Sequence, residues 1–128
     1  MKESKQQVFI GCDHAAYDLK EEIKAHLKDY KVTDFGTNSA TKSVDYPNFA
    51  SKLCKSLIKT KGALGILICG TGIGISIAAN KHKGIRCGVV HDHYTAKMTR
   101  SHNDANVIAF GARAVSYTHL TLPTIYSV

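Results

Sequence analysis

The sequence predicts an α/β fold: a three-layer α-β-α sandwich with a five-stranded parallel sheet. Two observations carry this. Short apolar, β-branched runs alternate along the chain with segments of helical period. The third such run, Leu64 to Ile68, breaks into Cys69-Gly70-Thr71-Gly72-Ile73-Gly74 and then resumes with Ile75, Ile77, Ala78 and Ala79 in a helical pattern. Strands alternating with helices at this spacing give a parallel sheet covered on both faces.

Taken in order, Val8 to Gly11 is the first strand, ending at Cys12-Asp13-His14. Ala16, Leu19, Ile23 and Leu27 follow at helical spacing, with Asp18, Lys20, Glu21, Glu22 and Lys24 on the wet face. Val32 to Phe35 is the second strand and Gly36 to Val44 a polar loop. Asp45-Tyr46-Pro47 opens the next helix, with proline near its first position and Phe49, Ala50, Leu53, Leu57 and Ile58 as its apolar stripe. After the glycine loop and its helix, Cys87 to Val90 is the fourth strand, Thr95 to Arg100 lies in a helix, and Val107 to Phe110 is the fifth strand. Residues 8–114 thus form one domain. The remaining stretch, 115–128, holds no Lys, Arg, Asp or Glu, is rich in Thr and other β-branched residues, and contains Pro123, so no covering helix is expected there.

At 128 residues the chain is one domain with room for a real core. No apolar run approaches the length that spans a bilayer, and Met1 to Gln7 lacks the apolar centre of a signal peptide; a cytoplasmic protein without a membrane partner is expected. Cys12, Cys54, Cys69 and Cys87 are widely spaced with no C-x-x-C pair, which argues against a zinc ribbon or a disulfide framework. The net charge of +7 is spread along the chain with no alternation of aromatic and basic residues. That pattern favours a small phosphorylated or acidic ligand over nucleic acid.

A strand, a glycine turn and a helix N-terminus gather backbone N–H groups around one small space, which favours an anion. Cys69 stands at that strand end, where the helix dipole supports a thiolate able to act as base or nucleophile. The competing reading is a buried cysteine before an ordinary βα turn. In open α/β sheets ligands bind beyond the carboxyl ends of the strands. Those ends carry Cys12-Asp13-His14, Cys69-Gly70-Thr71, His91-Asp92-His93 and Gly111-Ala112-Arg113. Sugar-phosphate isomerisation needs a base, donors for an enediolate, and cations for the phosphate. Cys69 fits the first, the Gly70 to Gly74 amides the second, and His14 and Arg113 the third, while His102-Asn103 supplies an imidazole and an amide. Against this, His14 could merely cap the first helix, and His102 could be a surface histidine at a helix end. A dinucleotide fold fits less well, because Ile75 occupies the third glycine's place in G-x-G-x-x-G and the loop follows the third strand; Asp92, about twenty residues on, keeps that reading open. His91-Asp92-His93 lacks a compelling third ligand, so no metal is expected.

Gly11-Cys12-Asp13-His14-Ala15-Ala16, Asp45-Tyr46-Pro47, the run Gly65 to Lys81, Gly84-Ile85-Arg86, and Ser101 to Asn106 through Phe110-Gly111-Ala112-Arg113 occur in unbroken order. Together they resemble the ribose-5-phosphate isomerase B family, whose wider group includes the galactose-6-phosphate isomerase subunits. The resemblance implies a Rossmann-like subunit interconverting ribose 5-phosphate and ribulose 5-phosphate without cofactor, in a homodimer or dimer of dimers whose site lies at the dimer interface. It implies Cys69 as the base at C2 and His102 as the ring-opening acid/base, with Asp13 and Thr71 assisting. Gly70, Thr71, Gly72, Ile73, Gly74 and Asn103 would hold the enediolate, Tyr46 would line the sugar pocket, and His14 and Arg113 would meet the phosphate. One branch of the family places a glutamate where this chain has Ile75, so the chain resembles the cysteine type. A galactose-6-phosphate or allose-6-phosphate isomerase, or a silent phosphate- or nucleotide-binding module, are the alternatives. Family members continue after the fifth strand with a long helix and a basic tail that clamps the phosphate. Residues 115–128 offer nothing comparable and are expected to be a truncation joined to unrelated sequence.

Overall fold

The computed structural model describes residues 5–36 and 46–112, with the backbone alone at 46 and 47. The loop of residues 37–45, Arg113, the tail of residues 115–128 and the side chain of Tyr46 lie outside what it describes. The strands are β1 (Gln7–Cys12), β2 (Lys31–Asp34), β3 (Leu64–Cys69), β4 (Cys87–Val89) and β5 (Val107–Gly111). The helices are α1 (Tyr17–His26), α2 (Tyr46–Ile58), α3 (Ile73–Asn80) and α4 (His93–Asn103), with a short 3-10 turn at His14–Ala16 before α1. Each expected element is present, and the boundaries move by a residue or a few. The largest shift is in α4, which extends beyond Thr95 to Arg100 at both ends: Asp92 accepts the Thr95 N–H at 2.8 Å and closes a capping box.

The sheet is parallel throughout, in the order β2-β1-β3-β5-β4. The chain moves outward from β1 to β2 and then crosses back to β3, so the topological switch point lies between β1 and β3. Register places Cys12 beside Ile68 and Cys69 beside Gly111, and the three central strands therefore end together.

Side-chain alternation divides the core in two. Val8, Ile10, Ile66, Ile68, Ile108 and Phe110 face α1 and α4, packing on Ile23, Leu27 and Ala96. Phe9, Leu67, Cys69, Val107 and Ala109 face α2 and α3, packing on Phe49, Leu53, Ile75 and Ala79. Gly111 and Gly72 let the third and fifth strands close on the glycine turn. A Cβ on Gly111 would stand 2.5 Å from the Gly70 carbonyl oxygen. One on Gly72, whose φ is +85°, would stand 2.7 Å from Phe110 Cα.

Two sequence expectations fail here: Ile58, read as part of the apolar stripe of α2, is 48% exposed at the helix end, and a lysine of α1 goes the other way. Lys20, placed on the wet face of α1, is wholly buried. Its Nζ lies 2.8 Å from Asp34 Oδ2, and Lys24 Nζ reaches the same oxygen at 2.9 Å. The helical stripe is read from apolar residues, whereas a carboxylate at the end of β2 supplies Lys20 with a partner that makes burial tolerable. Burial alone would raise the Asp34 carboxyl, but the Lys20 ammonium, the Gly36 N–H and the Lys24 ammonium together hold it below 3.8. A carboxyl lowered in the folded state contributes stability above its unfolded value, and that contribution disappears as pH falls through the folded value. Asp34→Asn, which takes the nearest carboxylate away from the buried Lys20 ammonium, is expected to lower stability by about 3 kcal/mol near pH 7. Its deficit against the unsubstituted protein should shrink below pH 3.8, as read from urea midpoints across pH.

Candidate active site

The carboxyl end of β3 delivers Cys69 to the switch point, the place where open α/β sheets bind ligands. Its sulfur accepts the Gly72 N–H at 3.0 Å. The residue is 7% exposed: packed among apolar neighbours on the α2–α3 face, yet still reached from outside. A peptide N–H aimed at sulfur is an arrangement that supports negative charge on it. The glycine loop is thus more committed than its sequence suggests. Besides the Gly72 N–H, the Ile73 N–H donates to Thr71 Oγ1 at 3.2 Å. The amides of Gly74 and Ile75 remain in the first turn of α3, where no intrahelical acceptor exists.

Asp13 follows Cys12 directly, so it stands next to Cys69 across the β1–β3 pairing. Its N–H donates to the Ile68 carbonyl at 3.2 Å, and its Oδ1 accepts the Ala15 N–H at 3.0 Å. His14 opens the 3-10 turn, and its Nδ1 is buried with no hydrogen-bond partner among the described residues. Capping falls to Asp13 instead, so the structure does not use His14 as a cap. An orphaned buried ring nitrogen in a native fold calls for an acceptor or donor from elsewhere. Thr71 is exposed at the lip of the loop.

His102 and Asn103 do not join this cluster. Both are exposed on the last turn of α4, which runs from the end of β4 back toward the start of β5. Val107 pairs with Gly65, so β5 begins about 13 Å along the sheet from Cys69, and α4 ends before it. Within one chain the imidazole and the thiol occupy opposite ends of the sheet. The His91-Asp92-His93 cluster serves the helix: Thr95 Oγ1 accepts the His91 N–H at 2.8 Å, and Asp92 caps α4.

The other cysteines differ in chemistry. Burial pushes the Cys54 thiol up to about 11, and burial with Cys54 nearby pushes Cys87 up to about 12. Cys12 is fully buried.

A parallel sheet with a thiol, a carboxylate and a histidine whose Nδ1 has no partner among the described residues, all at its switch point, defines an α/β protein built to handle a small polar ligand. The profile of the family described as Ribose/Galactose Isomerase matches residues 8–121, and the chain belongs to that family. Ribose-5-phosphate isomerase B of Escherichia coli (strain K12) is 48% identical over 112 residues, covering 86% of this chain and 74% of the relative. A putative sugar phosphate isomerase of Bacillus subtilis (strain 168) is 43% identical over 85% of this chain and 74% of its own. Among solved structures, ribose-5-phosphate isomerase B of Clostridium thermocellum superposes with a TM-score of 0.84 at 48% identity, covering 89% of this chain and 78% of the other. The ribose 5-phosphate isomerase of Thermotoga maritima gives 0.90 at 39% identity, over 96% and 87%.

Proposed function

We propose that this chain interconverts ribose 5-phosphate and ribulose 5-phosphate through an enediolate, with Cys69 as the base. The observation that carries the reading is the sulfur at the switch point, bonded by the Gly72 N–H at 3.0 Å and flanked in register by Asp13. Family membership and the ribose-5-phosphate isomerase B relatives support this substrate over a hexose phosphate.

His102 passes a proton to the ring oxygen and takes one from the anomeric hydroxyl, which opens the furanose to the aldehyde. The Cys69 thiolate removes the proton from C2, breaking C2–H and forming S–H. The electron pair moves into a C1–C2 double bond, with negative charge on the former carbonyl oxygen. The Gly74 and Ile75 amides and Asn103 face that charge, and Asp13 and Thr71 assist proton movement between O1 and O2. The thiol then returns its proton to C1, and the ketose leaves with no net change in oxidation state. His14 and Arg113 take the phosphate, the orphaned His14 Nδ1 being the supporting observation, and Tyr46 lines the sugar.

Because His102 and Asn103 stand at the far end of their own sheet, a second copy supplies them. Ile73 and Ile77, each 56% exposed and one turn apart beside the glycine loop, give that copy an apolar surface to cover. The working unit is a homodimer, and it acts in the cytoplasm. No helix among the described residues is long and apolar enough to cross a membrane.

Alkylation tests the thiol. At pH 7.5 iodoacetamide is expected to modify Cys69 first, and saturating ribose 5-phosphate is expected to protect it. Cys54 and Cys87, with thiols raised to about 11 and about 12, should stay unmodified over the same interval. Peptide mass mapping reads the result. Slow modification of Cys69, or a rate that ignores the sugar phosphate, would contradict the assignment.

A further inference from the structure

Asp104 is the one non-glycine residue with positive φ among the described residues, at φ 49° and ψ 41°. It ends α4 in the left-handed conformation, its N–H donating to the Thr99 carbonyl, at a position where glycine is the usual occupant. The chain carries an aspartate there, and two arginines converge on it. Arg100 Nη1 lies 2.8 Å from Asp104 Oδ1 and also reaches the Ala105 carbonyl at 3.1 Å. Arg86 Nε donates to the Asp104 carbonyl at 2.7 Å, and its Nη2 lies 3.4 Å from Oδ2.

Arg86 is itself fixed. Asn106 Oδ1 accepts its N–H at 2.8 Å, its carbonyl accepts the Asn106 N–H at 3.0 Å, and Asn106 Nδ2 donates to the Gly84 carbonyl at 2.9 Å. The turn entering β4 and the turn entering β5 are thereby strapped together, and Asp104 is tied to both. Ser101, His102, Asn103 and Asp104 are all exposed, so core packing does little to hold this last turn. An exposed helix end frays unless something at its terminus fixes it.

We infer that Asp104 is a positioning residue for the reaction: through Arg86 and Arg100 it fixes the last turn of α4, and so the direction in which His102 and Asn103 meet the site of a second copy. The inference rests on the role proposed above for His102. Asp104's side chain is 77% exposed, and exposed ion pairs contribute little to stability. Its effect therefore lies in geometry, which separates it from a merely structural residue.

Glycine at this position decides the matter, since it accepts φ 49° and has no carboxylate. Steady-state isomerisation of ribose 5-phosphate and thermal melting are measured for Asp104→Gly, Asp104→Asn and His102→Ala. Asp104→Gly is expected to melt within a few degrees of the unsubstituted protein, to hold KM within about twofold, and to lose between about tenfold and a hundredfold in kcat. Asp104→Asn, whose amide oxygen still accepts from Arg100, should fall between the two. Wild-type kcat in Asp104→Gly beside an inactive His102→Ala overturns the inference alone. Losses of kcat that merely track losses in melting temperature overturn it as well. Wild-type kcat in His102→Ala overturns the reading beneath it, and the inference with it.

Discussion

Cys69→Ala is expected to lower kcat for ribose 5-phosphate by between about a hundredfold and ten-thousandfold, the range removed with a positioned general base. The substitution deletes one heavy atom from a residue 7% exposed, so the fold should survive at a cost of about 1 kcal/mol. KM should change little, because the thiol acts on C2 in the transition state and contributes no contact to the phosphate. The Gly72 N–H loses its acceptor, a change inside the loop that touches no phosphate contact. A large fall in kcat with an unmoved KM therefore separates loss of the base from a general loosening of the loop. Steady-state kinetics with a circular-dichroism check on folding reads both.

The second large effect is restoration. Cys69→Ala and His102→Ala should each be inactive alone, yet recover activity when mixed, unfolded and refolded together. If one copy gives the thiol and the other the imidazole, a mixed dimer holds one site with both groups intact and one with neither. Random pairing of equal amounts then yields roughly a quarter of the unsubstituted activity. Sites built within single chains would restore nothing. The geometry favours restoration: Val107, the first residue of β5, pairs with Gly65, about 13 Å along the sheet from Cys69, and His102 precedes it on a helix that runs back toward that end.

Much of this was legible in the residues. The alternation of apolar runs and amphipathic segments gives the α/β sandwich because a fully buried parallel strand and a surface helix leave different periodicities in sequence. The run around Cys69 announces its own turn, since alternating glycines after a β-branched strand fit few other backbones. What the sequence conceals are relations between distant positions. Lys20 reads as solvent-facing because its partner, Asp34, is brought near only by sheet order. The separation of His102 from Cys69 depends on the direction of α4, which no local pattern records. Arg100 and Asp104 stand at helical i,i+4 spacing and could have been paired from sequence, but the contribution of Arg86 and the positive φ could not. His14 lies between the two cases. Its neighbour Asp13 is a recognisable cap, whereas the missing partner at Nδ1 appears only once the backbone is folded.

The transfer of a proton from C2 to C1 by the Cys69 sulfur is tested most directly by running the isomerisation in deuterium oxide and examining the ribulose 5-phosphate at C1. A thiol that exchanges with solvent between the two transfers should leave deuterium at C1 in the unsubstituted protein, and Cys69→Ala at equal concentration should deposit none above background. Deuterium arriving at C1 at the same rate in both proteins would show that another group moves the proton.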